Sequence, residues 1–184
     1  NGDILKKVVT DFVSHIDKNI SLWIKERVKF PCTMVDCIVP SIKKLPDEVE
    51  EKFKDNSLVL CESYREWYIE NNSSFLKSHL VHERIKFVDN IEFYESIKLK
   101  ILNASHSALA YLGLLLGYKY VHEAIGDQLC YNFINNYLDR EVILTIKKKD
   151  NFDLVKYKKD ILKRFKNHFL NHKLEQIGMD GSLK

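Results

Sequence analysis

A lysine, an asparagine and a histidine stand at the start of the most apolar segment of this 184-residue chain. They are Lys98, Asn103 and His106, which are separated by five and three residues. On an α-helix, which turns by roughly 100° per residue, Asn103 lies about 140° and His106 about 80° around the axis from Lys98. All three side chains can therefore lean over one broad face and touch one small molecule.

Together these residue types suit the dehydrogenation of a secondary alcohol. Desolvation favours the neutral amine of a lysine, which can take the alcohol proton as a hydride leaves the carbon. An asparagine amide can donate a hydrogen bond to an oxygen that gains charge, and a histidine can hold that oxygen or a neighbouring hydroxyl. The alternative stays open: Asn103 and His106 also fit a satisfied structural pair in a core helix, and Lys98 fits a surface lysine.

The elements that must position these residues are helices. The chain has six Gly and three Pro, and no Pro follows position 46. Apolar spacing predicts helices over 3–28, with a break near Asn19, and over 47–53, 90–117, 121–138 and 154–169. Short strands are predicted at 34–39, 58–61 and 66–69. The predicted fold class is mainly α: a multi-helical domain with few short strands and a central buried helix at about 97–117, capped by Gly117.

Composition and motifs exclude several classes of protein. The sequence carries neither G-x-G-x-x-G nor G-x-x-x-x-G-K-[ST], so these residues do not encode a complete nucleotide-binding α/β enzyme. No apolar run reaches membrane-spanning length. The net charge is only +3 and no nucleic-acid-binding motif is present, so a nucleic-acid partner is not expected. Four cysteines without a C-x-x-C pair predict free thiols, a cytoplasmic location and no metal site.

The spacing Lys98-x4-Asn103-x2-His106 resembles the K-x4-N-x2-H catalytic signature of the mannitol dehydrogenase family, the polyol-specific long-chain dehydrogenases and reductases. Other blocks follow in the family's order: Asn1-Gly2 with Val8-Val9, FPCTMVD at 30–36, ESYREWYIE at 62–70 and QIGMDGSLK at 176–184. The resemblance therefore covers nearly the whole chain.

This resemblance implies a mostly helical C-terminal domain that works beside an N-terminal NAD(P)-binding Rossmann domain, with the active site between them. It assigns residues 1–184 to the C-terminal domain and leaves the Rossmann domain outside this chain. Lys98 would be the general base, Asn103 would stabilise the alkoxide or carbonyl oxygen, and His106 would bind substrate. The cofactor would be NAD or NADP, bound mainly by the Rossmann domain of the same protein, and no catalytic metal is expected.

The resemblance also assigns residues around this trio. Lys184 and Gln176 would contact the substrate. Apart from the resemblance, the guanidinium of Arg65 suits a uronate carboxylate if the substrate is a sugar acid, and it fits a surface ion pair equally well. Asp36 and Val35 would line the cleft near the nicotinamide. The chain departs from the family at the next position, where Cys37 replaces the usual arginine, and the family's second oxyanion asparagine would lie upstream of position 1.

Within the family, the runs at 30–40 and 176–182 are most similar to those of the fructuronate reductases, which interconvert D-mannonate and D-fructuronate. Mannitol 2-dehydrogenase activity, on mannitol and fructose, is the alternative. An alternative of another class is a non-catalytic helical interaction module with the same ancestry. As an enzyme the chain would act on a small polyol or sugar acid, and these residues alone are expected to be inactive.

Overall fold

The computed structural model describes residues 1–41, 47–53, 55, 57–147 and 152–180. Helices make up 63% and strands 9% of the structure, which confirms the predicted mainly α fold. The chain divides into two compact units. Unit 1 comprises Asn1–Asp36 and Arg65–Glu95, and unit 2 comprises Cys37–Tyr64 and Ser96–Lys184.

The elements are named here in chain order. The α-helices are α1 (Gly2–Ser14), α2 (Lys18–Arg27), α3 (Asp47–Phe53), α4 (Ser74–His79), α5 (Ile91–Ile97), α6 (Ala104–Leu115), α7 (Val121–Gly126), α8 (Gln128–Tyr137), α9 (Leu154–Phe165) and α10 (Leu174–Asp180). The strands are β1 (Thr33–Asp36), β2 (Glu66–Glu70) and β3 (Ile85–Val88). The described residues also form π-helix at Lys98–Asn103 and Leu138–Val142, and 3₁₀-helix at Ile143–Thr145 and His168–Leu170.

Unit 1 contains a small sheet in which β2 lies between the other two strands. β1 pairs antiparallel with β2, and β2 pairs parallel with β3. Met34 on β1 and Tyr68 on β2 are buried together with Cys32 and Ile91. The Tyr68 ring stacks on Tyr94 with 4.4 Å between the ring centroids, so aromatic packing contributes to this small core.

In the hairpin of α1 and α2, the buried side chains are small and polar. The predicted break near Asn19 is real: Asp17 caps α2, and its carboxylate accepts the Asn19 N–H at 2.7 Å. Ser21 Oγ donates to the Thr10 carbonyl oxygen at 2.9 Å. Several apolar residues that the periodicity would place against a core are instead more than half exposed: Ile4, Val8, Phe12, Ile16 and Trp23.

In unit 2, the π-helix at Lys98–Asn103 continues directly into α6, which lies against α7, α8 and α10. A Cβ placed on Gly113 would come within 2.9 Å of the Ala124 Cβ and 2.7 Å of a Leu174 methyl, so the glycine permits close packing of α7 and α10. Gly117 takes a left-handed φ of 83° just after the helix ends, as predicted for its cap. Leu115 is 86% exposed, so the burial of this helix stops short of its last turn.

Three local expectations differ from the structure. The helix predicted over 121–138 is divided, because the Asp127 carboxylate accepts the N–H groups of Leu129 and Cys130 and starts α8 there. Residues 58–61, predicted as a strand, are irregular, and β3 was not predicted. None of the helices in the described ranges is long and apolar enough to cross a membrane, and all four cysteines have free thiols.

A buried ion pair joins the irregular segment before residue 65 to α9 in unit 2. The Glu62 and Arg164 side chains are 2% and 7% exposed, and their closest approach is 2.6 Å, from Arg164 Nη2 to Glu62 Oε1. Arg164 Nε also donates to the Glu62 carboxylate, which accepts the Ile38 N–H at 2.5 Å. The Arg164 guanidinium lies over the Tyr64 ring, 4.3 Å from its centroid. Each charge is thus neutralised by its partner in a largely buried position.

We expect Glu62→Ala to lower the free energy of unfolding by about 3–5 kcal/mol, because it leaves the Arg164 charge buried without its carboxylate. Urea denaturation of the chain, followed by circular dichroism, measures this loss. Glu83→Ala is the control, since Glu83 is 82% exposed beside Arg84 and an exposed pair contributes about 0–1 kcal/mol. Equal effects from the two substitutions would contradict a structural role for the buried pair.

Candidate active site

Lys98, Asn103 and His106 lie on one helical segment, but its first part is not an α-helix. Lys98 and Asn103 are the first and last residues of the π-helix, and His106 lies in the first turn of α6. The Ala104 N–H donates to the Leu99 carbonyl oxygen five residues back, which is the hydrogen bond that defines a π-helix. The segment is therefore wider than the helix assumed from the sequence.

The π-helical register changes where Asn103 stands relative to Lys98. Residues five apart, which an α-helix separates by about 140°, are joined by i→i+5 bonds and fall nearly one above the other in a π-helix. Both side chains are half-buried. An amine and an amide thus share one face more closely than the α-helical wheel predicts.

Ser105 secures the junction between the π-helix and α6. Its buried hydroxyl donates to the carbonyl oxygens of Ile101 and Leu102, the latter at 3.2 Å. Lys100, on the same segment, is held elsewhere, because its Nζ donates to the Thr145 carbonyl oxygen at 3.2 Å. These bonds fix the register in which Lys98 and Asn103 are presented.

Aromatic rings surround the His106 imidazole. It stacks on Phe165 of α9 with 4.8 Å between centroids, and the ring of His172 meets it edge to face at 4.9 Å. Burial, reinforced by His172 and Arg164, lowers the pKa of His106 to about 3. The imidazole is therefore neutral at physiological pH, with one nitrogen able to donate and the other able to accept.

His172 is directed towards His106 by its backbone. The Val121 N–H donates to the His172 carbonyl oxygen at 2.9 Å, and the Leu174 N–H donates to the Lys119 carbonyl oxygen at 3.0 Å. Just before it, Asn171 has a left-handed φ of 43°, a conformation that asparagine tolerates better than most residues. Burial lowers the pKa of His172 as well, so this ring too is held in its neutral form.

The remaining predicted site residues are distributed over both units. Gln176 is half-buried on α10 in unit 2, and its Nε2 donates to the Ser41 carbonyl oxygen at 2.5 Å. Asp36 is buried and Val35 is 52% exposed on β1 of unit 1, where Arg65 is exposed. Lys184 lies outside the described residues. The roles of all these residues stay predictions.

Sequence reasoning missed the surroundings of His106. Phe165 and His172 are 59 and 66 residues away in sequence, so no local spacing could pair them with it. The π-helix has no signal in the apolar periodicity either. Within the described ranges, no group of three or more His, Cys, Asp or Glu side chains is placed to hold a metal ion. What the segment offers is an amine, an amide and a neutral imidazole, which can exchange a proton and hydrogen-bond a hydroxyl or carbonyl oxygen.

Comparison with known families gives matches along most of the chain. The family model described as the mannitol dehydrogenase C-terminal domain matches residues 90–184, which include the Lys98–His106 segment. The model described as the mannitol dehydrogenase Rossmann domain matches residues 1–82. The assignment of all residues 1–184 to the C-terminal domain therefore stays a prediction.

Known proteins similar to this chain include oxidoreductases that act on sugar acids and polyols. D-mannonate oxidoreductase of Escherichia coli (strain K12) is 34% identical over 191 residues, which cover the whole chain and 38% of that protein. Mannitol 2-dehydrogenase of Phaeosphaeria nodorum is 32% identical over 190 residues, again over the whole chain and 34% of that protein. The chain thus spans little more than a third of the length of these relatives.

A solved structure supports the same assignment. Mannitol 2-dehydrogenase of Pseudomonas fluorescens, in a ternary complex with NAD and D-mannitol, is 30% identical and superimposes with a TM-score of 0.74. The match covers 96% of this chain and 37% of that one. The C-terminal family match covers more than half of the residues and includes the lysine, asparagine and histidine, so the chain belongs to the mannitol dehydrogenase family.

Proposed function

We propose that this chain is the substrate-side part of an NAD(P)-dependent oxidoreductase that interconverts a secondary alcohol and a ketone on a sugar acid or polyol. The observation that supports the proposal is the π-helix at Lys98–Asn103. Its wider turn brings the side chains of Lys98 and Asn103 towards one face, and the neutral His106 follows in the first turn of α6. Among the possible substrates we favour D-mannonate and D-fructuronate.

Each residue has a distinct role in this reaction. Lys98 accepts the proton of the reacting hydroxyl, and returns it in the reverse direction. Asn103 donates an amide hydrogen bond to the same oxygen as negative charge develops on it. His106, neutral and clamped against Phe165, binds a hydroxyl of the substrate and orients it.

The nicotinamide cofactor would exchange the hydride with the substrate carbon. The chain itself offers little to hold such a cofactor, because it has no glycine-rich loop for the phosphates. At most, Asp36 and the half-exposed Val35 of β1 would line the nicotinamide side of the cleft. Binding of NAD or NADP therefore falls mainly to a Rossmann domain elsewhere in the same protein, as does the choice between them.

The exposed apolar face of α1 and α2 supports a longer protein. Ile4, Phe12, Ile16 and Trp23 of this hairpin are 59–70% exposed, and an exposed apolar patch usually marks an interaction site. This chain spans only 38% of the D-mannonate oxidoreductase relative, which is more than twice as long. We place residues 1–184 on the substrate side of that longer protein, which leaves this face to be covered by its nucleotide-binding part.

Two substrate classes remain to be separated by experiment. The mannonate and mannitol relatives are 34% and 32% identical, so identity does not decide between them. Arg65 is exposed and is chemically suited to a uronate carboxylate. The full-length protein should be assayed with mannonate, altronate, mannitol and arabinitol, each with NAD and NADP. Turnover of mannonate supports the favoured substrate, and turnover of mannitol alone supports the alternative.

A non-catalytic interaction module is the alternative of another class. It requires that the full-length protein turn over none of these alcohols while its apolar face binds a protein partner. It also leaves unexplained why an amine and an amide share one face of the π-helix. Activity of the full-length protein on any of the four alcohols would exclude it.

In the full-length protein we expect Lys98→Ala to reduce kcat about 10²- to 10⁴-fold, because general base catalysis typically contributes that much. NAD binding, measured by fluorescence titration, should change little. Lys100→Ala is the matched control, since Lys100 lies two residues away and its Nζ is bound to the Thr145 carbonyl oxygen. Comparable loss from both substitutions would contradict a specific role for Lys98.

The 184 residues by themselves should not oxidise mannitol or mannonate, since the proposed active site is completed by the nucleotide-binding domain. A steady-state assay of the isolated chain with added NAD or NADP tests this. Turnover by the isolated chain would overturn the division of the site between two domains.

His106 should stay neutral throughout the range in which the enzyme works. Its pKa is about 3, below the usual value near 6.5, so protons bind to it in the unfolded chain before they bind in the folded one. We expect the His106 imidazole signals in ¹⁵N NMR of the full-length protein to show no titration between pH 8 and 5, with assignment by His106→Asn. A midpoint between pH 6 and 7 would show that the ring is accessible to water and not clamped as described.

A further inference from the structure

Two histidines line the same small cavity in unit 2, and each has a buried ring nitrogen. The cavity has a volume of about 10 Å³ and is lined by His106 and His172, and also by Ile38, Arg164 and Asn167. His106 Nε2 and His172 Nδ1 are buried, and neither has a hydrogen-bond partner among the residues the structure describes. Leaving a polar atom buried and unpaired is costly, so these two nitrogens call for a shared partner.

The size of the cavity limits what that partner can be. A volume of roughly 10–15 Å³ is about that needed for a single water molecule, which also requires two to four polar neighbours. The two imidazoles can supply two such neighbours, and Asn167 is also among the lining residues. The space therefore accepts one oxygen atom, either that of a water molecule or that of a hydroxyl whose carbon stays outside the cavity.

The protonation of the two rings selects the kind of oxygen. Burial lowers the pKa of both His106 and His172, so each ring is neutral and presents either a donor or an acceptor. A hydroxyl-type oxygen can both donate and accept, so it satisfies the two nitrogens when one carries a proton and the other does not. A carbonyl oxygen satisfies them only when both nitrogens carry a proton. A cation is disfavoured because the Arg164 guanidinium lines the same cavity.

We propose that His106 and His172 together bind one hydroxyl-type oxygen, which makes His172 a further binding residue. The oxygen comes from a water molecule in the free protein or from a hydroxyl of the bound substrate. The substrate source rests on the proposed function, whereas the water source does not. In either case, the backbone bonds around His172 hold this residue where its ring contacts the His106 imidazole.

Crystal structures of the full-length protein, free and with D-mannitol or D-mannonate, test the proposal. In the free protein we expect density for one oxygen about 2.6–3.2 Å from both His106 Nε2 and His172 Nδ1. Replacement of that oxygen by a substrate hydroxyl identifies the substrate as the source, and its retention identifies a structural water. A cavity without density, with both nitrogens turned to protein partners, would overturn the proposal.

Two substitutions at position 172 separate hydrogen bonding from packing. His172→Phe removes the nitrogen, and His172→Gln keeps a polar group that can reach the same oxygen. If a substrate hydroxyl is bound, His172→Phe should raise KM about three- to tenfold while kcat changes less, and His172→Gln should restore most of the loss. If a water is bound, KM should stay within twofold of the wild-type value. The test of the proposal is then the electron density for one oxygen between the two histidines in the free protein.

His122→Gln is the matched control, because His122 is a neighbouring histidine on α7 that does not line the cavity. It should leave both the density and KM unchanged. The same rise in KM from His122→Gln as from His172→Phe would contradict the binding of a substrate hydroxyl by His172. Failure of the Lys98→Ala prediction would contradict the proposed reaction without altering the density at His106 and His172, so the two proposals fail separately.

Discussion

Burial of an uncharged imidazole is the constraint on which the candidate site depends. His106 stands where an apolar helix packs against α9, and a charged ring there would lose its hydration without gaining a carboxylate partner. Stacking on Phe165 and contact with His172 therefore hold a neutral ring in one orientation. A ring held in this way presents its two nitrogens in set directions, which the proposed binding of a substrate hydroxyl requires.

The ion pair of Glu62 and Arg164 forms part of the surroundings of His106. Arg164 lines the cavity beside His106 and contributes to the low pKa of the imidazole, while its own charge is neutralised by Glu62. Without that carboxylate, the guanidinium would be left as an uncompensated charge next to the ring. The pair thus links the stability of unit 2 to the electrostatics of the candidate site.

Much of this could be predicted from the sequence, and the failures have physical reasons. The helical fold and the cap at Gly117 follow from local spacing and turn chemistry, whereas the joint role of Lys98, Asn103 and His106 stays a prediction. The π-helix does not follow from local spacing, since a shift of the hydrogen-bond register leaves the apolar pattern unchanged. The exposed face of α1 was predicted to be buried because periodicity identifies an apolar face without telling what covers it. Residues 58–61 resemble a strand in composition. The Glu62 side chain, which follows them, forms a buried ion pair with Arg164 and accepts the Ile38 N–H.

The central claim is that Lys98 accepts the proton of the reacting alcohol. It is tested most directly by a structure of the full-length protein with its alcohol substrate and NAD or NADP bound. The account predicts that Lys98 Nζ and Asn103 Nδ2 both lie about 2.6–3.2 Å from one hydroxyl oxygen, on the carbon that faces the nicotinamide. A substrate whose reacting oxygen lies beyond hydrogen-bonding distance of Lys98, with another group in its place, would contradict it.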